Sequence, residues 1–64
     1  MNTRLKTTRL QEGLTQKEIA EQAHITTTSY QRIEYGTQRP SLNTALLIAK
    51  ALSSTVEELF KTDN

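Results

Sequence analysis

Thr15-Gln16-Lys17-Glu18-Ile19-Ala20-Glu21-Gln22-Ala23-His24-Ile25-Thr26-Thr27-Thr28-Ser29-Tyr30-Gln31-Arg32-Ile33-Glu34-Tyr35-Gly36 reads as two short helices joined by a tight turn. Thr15 is a good N-cap, and Glu18 stands where its carboxylate reaches back to the Thr15 N–H, which completes a capping box. Leu14 before the cap and Ile19 after it fit a hydrophobic staple. The pattern repeats at once, with Thr26 as the cap, Ile25 before it and Tyr30 placed to close the second staple. Helix starts this close together leave room only for a sharp turn. His24 falls where the first helix has to end in a left-handed residue, a conformation in which histidine is enriched, and Gly36 supplies the corresponding stop for the second helix.

Outward from this unit, Asn2 to about Glu12 reads as a first helix, with Leu5 and Leu10 as its apolar content and Gly13 ending it. Leu5 and Arg9 share a face, so either a charged side chain is directed at the bundle or Arg9 snorkels to solvent. The second helix, about Gln16 to Ala23, is expected to bury Ile19, Ala20 and Ala23, and the third, about Thr27 to Tyr35, to bury Tyr30 and Ile33. Thr37-Gln38-Arg39-Pro40 is a polar connection in which Pro40 pushes Arg39 out of helical geometry. Ser41 then caps a fourth helix, where Leu42, Ala45, Leu46, Ala49 and Leu52 recur at helical spacing and Leu47, Ile48 and Ala51 widen the face. This most apolar helix is expected at the centre of the core. Thr55 with Glu58 predicts another capping box, opening a last short helix that carries Val56, Leu59 and Phe60. Lys61 to Asn64 reads as a frayed end.

A chain of 64 residues has room for one domain, residues 1–64, and no second functional unit. Domains this small are marginal without disulfides, metals or oligomerisation, and with no cysteine neither a disulfide nor a thiolate metal site is available. Well-capped helices and self-association remain. No apolar run approaches the ~20 residues that span a membrane, and the start lacks the apolar core of a signal peptide, so a cytoplasmic location is expected. The net charge of +1 does not by itself point to a polyanion; the stretch through Arg39 is mildly basic and the rest mildly acidic, which an ordinary solvated surface explains equally well. The acidic residues sit at helix starts, where they complement the helix dipole. His24 has no cysteine or second histidine as a partner, and neither a Gly-rich phosphate loop nor a Ser-His-Asp order is present. Enzyme chemistry, a metal, a cofactor and a small-molecule ligand are therefore not expected.

The ordered set Gly13-Leu14-Thr15-Gln16, Ile19-Ala20, Ser29, Ile33-Glu34, Gly36, Pro40-Ser41-Leu42, Ile48-Ala49, Ala51-Leu52 and Leu59-Phe60 resembles the phage-repressor-like (Cro and repressor type) helix-turn-helix DNA-binding family over nearly the whole chain. The resemblance implies an all-α fold, a compact bundle of five short helices with the helix-turn-helix formed by helices 2 and 3. It also implies a homodimer on a two-fold operator and, usually, repression. Ser53 departs from the family's usual glycine and Ser54 from its usual valine or similar residue, which should weaken that junction by about 1 kcal/mol for the missing glycine. The family places Arg9 and Glu34 face to face between the first and third helices, implying a buried or half-buried ion pair; two separate surface charges is the other reading.

Base readout is expected from the third helix, where Thr27, Thr28, Gln31 and Arg32 lie opposite Tyr30 and Ile33. Arginine bonds guanine bidentately, glutamine pairs with adenine, and threonine methyls pack on the thymine methyl; a merely solvated face is the alternative. Gln16 and Thr26, at the starts of the two helices, are phosphate candidates, since a helix start offers free N–H groups. By resemblance Gln16 touches the DNA backbone and buttresses the third helix. Thr37, Gln38, Arg39 and Asn43, about the start of the fourth helix, are the remaining phosphate candidates, and contacts of that kind position without specifying sequence. Val56, Leu59 and Phe60 are the expected dimer interface, because their helix is too short to bury all three. The leading expectation is thus a sequence-specific regulator with double-stranded DNA as its partner. A protein-interaction module on the same fold, antitoxin-like or accessory to a larger regulator, is the alternative.

Overall fold

The computed structural model describes residues 2–61. Its five helices are α1 (Thr3–Gln11), α2 (Gln16–Gln22), α3 (Thr27–Tyr35), α4 (Leu42–Ala51) and α5 (Val56–Leu59), and among the described residues there is no strand. The all-α bundle is therefore the one the sequence predicts. Each helix starts on a side-chain oxygen that accepts an orphan backbone N–H: Asn2 from Leu5, Thr15 from Glu18, Thr26 from Ser29, Ser41 from Thr44 and Thr55 from Glu58. At Thr15 the box is closed, because Glu18 Oε1 accepts the Thr15 N–H at 2.9 Å. That bond holds the Glu18 carboxyl below its ordinary range.

Thr55 makes only half of the expected box. Its hydroxyl caps the Glu58 N–H at 3.1 Å, whereas the Glu58 carboxylate turns to Arg4 Nη1 at 3.5 Å. An ion pair to α1 replaces the local return bond. Asn2 ties the chain start to both neighbours, donating its side-chain Nδ2 to Leu59 O at 2.8 Å and its backbone N–H to Glu34 O at 2.9 Å.

The core consists of Leu5, Ile19, Ala20, Ala23, Tyr30, Ile33, Ile48, Ala49, Leu52 and Leu59, with Leu14, Ile25, Leu47, Ala51, Val56 and Phe60 packed against it. Ala20 on α2 and Ala23 at its C-cap are buried, and their small side chains let α3 come close. α2 also packs on α4, while α1 and α5 close the other side against α3 and α4. Within α4 the buried face is Ala45, Ile48 and Ala49, continued by Leu52. This shifts the expected stripe: Leu42 and Leu46 are 72% and 53% exposed, and Ile48 takes the central place. Leu10 of α1, at 58% exposure, is likewise outside the core and leaves Leu5 as that helix's apolar anchor.

Left-handed backbone appears at Gly13, His24, Gly36 and Ser53. His24 ends α2 at φ 58°, where Ile25 N–H reaches back to Ala20 O at 3.0 Å. Ser53 does the same after α4 at φ 53°, with Ser54 N–H on Ala49 O at 2.9 Å. No described helix is long and apolar enough to cross a membrane. Of the frayed end expected from Lys61 onward, positions 62–64 lie outside the described residues.

Candidate nucleic-acid interface

α3 is held at both ends. Thr26 accepts the Ser29 N–H at 3.1 Å at its start. At its end Gly36 turns left-handed, so that the N–H groups of Thr37 and Gln38 and the Thr37 hydroxyl all reach Arg32 O, at 2.9, 3.3 and 3.3 Å. Gln38 Nε2 also donates to Ser29 Oγ at 3.1 Å, stapling the following loop onto the helix. Sequence does not single out Ser29 for this role, since nothing local marks a serine that serves a loop residue nine positions away.

On this clamped helix Thr28 and Arg32 are exposed one turn apart, and Thr27 and Gln31 are half-buried beside them. Tyr30, Ile33 and Glu34 face inward. The Arg32 side chain has no hydrogen-bond or ion-pair partner among the described residues, so its five donors are available to a ligand. Thr37, Arg39 and Asn43 are exposed around the start of α4, and Arg39 is likewise without a protein partner among the described residues. Thr26 is exposed with its oxygen engaged as a cap, and its proton remains able to donate. Gln16 is half-buried at the first turn of α2.

Behind α3 lies a polar network. Arg9 and Glu34 pair bidentately, Nε to Oε2 at 3.0 Å and Nη2 to Oε1 at 3.1 Å, with side chains only 10% and 5% exposed. Arg9 Nη1 also donates to Leu14 O at 3.0 Å. Gln16 Nε2 donates to Glu34 Oε1 at 3.2 Å, and Gln31 Nε2 donates to Gln16 Oε1 at 3.1 Å. Burial pushes the Glu34 carboxyl up, but the hydrogen bonds and charge of Arg9, helped by the adjacent Tyr30 hydroxyl and the Gln16 amide, outweigh it, and the group ends below its ordinary value. The bond to Glu34 raises Arg9 in turn, against the effect of burial. The Tyr30 hydroxyl is buried and completes no well-aligned hydrogen bond; burial first, then the adjacent Glu34 carboxylate, drive its pKa well above the ordinary value.

Beside the start of α1, where Asn2 bonds its carbonyl, Leu59 is 1% exposed and lies in the chain's own core. This corrects its expected place in a dimer interface: α5 packs on α4 and α1 so that Leu59, its last residue, is spent at home. Val56 and Phe60 stay half-buried and, with Leu42, Ala45 and Ile33, line an open groove of about 660 Å³.

The sequence matches the family model of the helix-turn-helix over residues 5–59. It is also 33% identical, over 64 residues, to an uncharacterized HTH-type transcriptional regulator of Archaeoglobus fulgidus; the match covers all of this chain and 91% of that protein.

Proposed function

The chain belongs to the helix-turn-helix family, and from that membership we propose that it is a sequence-specific double-stranded DNA-binding transcriptional regulator, a cytoplasmic repressor acting as a homodimer on a palindromic operator. The observation that carries this reading is the outer face of α3, where Thr28 and Arg32 stand exposed on a helix fastened at both ends. With α3 in the major groove, Arg32 bonds guanine O6 and N7, the threonine methyls meet thymine, and Thr27 and Gln31 contact the neighbouring bases. Gln16, Thr26, Thr37, Gln38, Arg39 and Asn43 flank that face and hold phosphates, which sets the register of α3 without reading sequence. Repression follows when the occupied operator overlaps a promoter.

Self-association uses Val56 and Phe60, joined by Leu42, which is the most exposed large apolar residue among the described residues. Two-fold pairing sets the recognition helices ~34 Å apart, one turn of DNA. Selection from a random DNA pool tests this: the enriched sequences should be palindromes with half-site centres one helical turn apart. Enrichment of a single unrepeated half-site would remove the dimer, and no enrichment would remove the regulator. The exposed apolar side chains Leu10 and Tyr35, which line a common cleft, favour the protein-interaction reading instead. An unenriched pool together with loss of partner capture in a Leu10→Ser, Tyr35→Ser variant would establish that alternative.

A further inference from the structure

The amide of Gln31 stands at the end of a hydrogen-bond chain whose direction is dictated from inside the protein. Glu34 Oε1 receives Arg9 Nη2 at 3.1 Å and Gln16 Nε2 at 3.2 Å. An ionised carboxylate only accepts, so Gln16 has to turn its NH2 group inward. Its carbonyl oxygen is thereby left for Gln31, whose Nε2 donates to it at 3.1 Å. Gln31 in turn spends one of its two N–H donors on that bond, and its own Oε1 has no partner among the described residues and is left as its acceptor. The opposite orientation of both amides would set the Gln16 carbonyl against a carboxylate, acceptor on acceptor.

We propose that Glu34, acting through Gln16, is a positioning residue for base readout: it holds Gln31 with its carbonyl oxygen as the outward group, so that Gln31 reads an exocyclic amino group in the major groove, adenine N6 or cytosine N4. This rests on the DNA-binding reading given above. Only those two bases present an amino donor in the major groove. The chain is anchored at its inner end, because Arg9 also donates to Leu14 O at 3.0 Å. Bidentate pairing with Arg9 keeps Glu34 in the ionised, acceptor-only form on which the direction depends. Thr27, Thr28 and Arg32 have no comparable side-chain hydrogen bond among the described residues, so Gln31 is the base-facing group that is ordered before DNA arrives. A side chain already ordered loses less freedom on binding.

The test has two arms, both run on the full chain and on Gln16→Met, which keeps the bulk of residue 16 and removes the relay. In the absence of DNA, side-chain 15N relaxation should show the Gln31 amide ordered in the wild type, near the ~0.85 of rigid backbone, and below ~0.6 in the variant, with unchanged backbone spectra. In the second arm, the selected operator is altered one base at a time with analogues that lack the amino group, purine for adenine and 2-pyrimidinone for cytosine. The wild type should lose roughly tenfold in affinity at one position per half-site, and Gln16→Met under about threefold there, with its discrimination at the guanine facing Arg32 intact. A Gln31 amide as mobile in the wild type as in the variant overturns the proposal, as does amino-group discrimination that survives Gln16→Met. Should the chain select no DNA, the regulator reading fails, while the relaxation arm alone still decides whether the relay orders Gln31.

Discussion

Tyr30 and Glu34 lie side by side at the inner face of α3, and they respond to substitution in opposite ways. The Tyr30 hydroxyl is buried without a well-aligned hydrogen bond, a situation that costs ~1–3 kcal/mol for the polar group while its ring fills the core. Tyr30→Phe removes the oxygen and keeps the ring. Its melting temperature should therefore equal or exceed that of the wild type, and a loss of more than about 1 kcal/mol would show that the hydroxyl is bonded. Glu34→Ala strips Arg9 of its bidentate partner and Gln16 of its acceptor, leaving an arginine that is only 8% exposed. Breaking a buried pair in this way costs ~3–5 kcal/mol. At roughly 0.05–0.15 kcal/mol per residue a domain of this length holds only about 3–10 kcal/mol in all. Thermal denaturation should show the variant largely unfolded or melting far below the wild type; an unchanged midpoint would place the pair in solvent. Only part of this was legible in sequence. The Leu5 and Arg9 spacing directs a charge inward but leaves snorkelling open, and nothing local couples Gln16 to Gln31, which are brought together by the crossing of α2 and α3.

At the scale of elements, sequence reads helix starts better than helix faces. A cap is a local event, one side-chain oxygen and an N–H three residues on, so Thr15, Thr26, Ser41 and Thr55 mark their helices without knowledge of the rest. Which side of a helix is buried depends on its neighbours. The repeat through Leu42 and Leu46 is as regular as the one through Ala45, Ile48, Ala49 and Leu52, yet α2 and α5 cover only the second. Glu58 shows the same limit, since its long-range partner Arg4 competes with the local cap. The left-handed stops give a prediction for the junction of α4 and α5. Ser53, exposed and at φ 53°, carries a Cβ where glycine would be unstrained. Ser53→Gly should stabilise the domain by about 0.5–1 kcal/mol in denaturant unfolding, after allowance for the greater freedom of glycine in the unfolded chain. A destabilised variant would mean that the Ser53 side chain makes a bond that outweighs the strain.

For the whole molecule, the buried pair couples stability to acid. Glu34 has a folded pKa below its ordinary value of 4.5, so the folded state binds protons less readily than the unfolded chain. The resulting stability is complete above the unfolded value and is lost as pH falls through the lower folded value. Glu18, also lowered by its cap, adds in the same direction. Melting midpoints should hence be flat towards neutral pH and fall on acidification below about 4.5, and a midpoint that rises with acid would contradict the assignment. The bundle, its helix order and the outward face of α3 were all legible from capping and spacing. The retreat of Leu59 into the core was not, because a short helix with three apolar residues gives no sign of which one faces home. The proposed division of roles, Arg32 on bases and Arg39 on phosphate, is decided by binding titrations of the wild type, Arg32→Ala and Arg39→Ala on the selected operator and on scrambled DNA at several salt concentrations. Arg32→Ala should lose ~1–3 kcal/mol per half-site on the operator and little on scrambled DNA, with relaxed preference at one guanine. Arg39→Ala should weaken both DNAs alike and flatten the salt dependence by about one unit for each phosphate that is no longer neutralised. Equal losses on both DNAs for Arg32→Ala would contradict it.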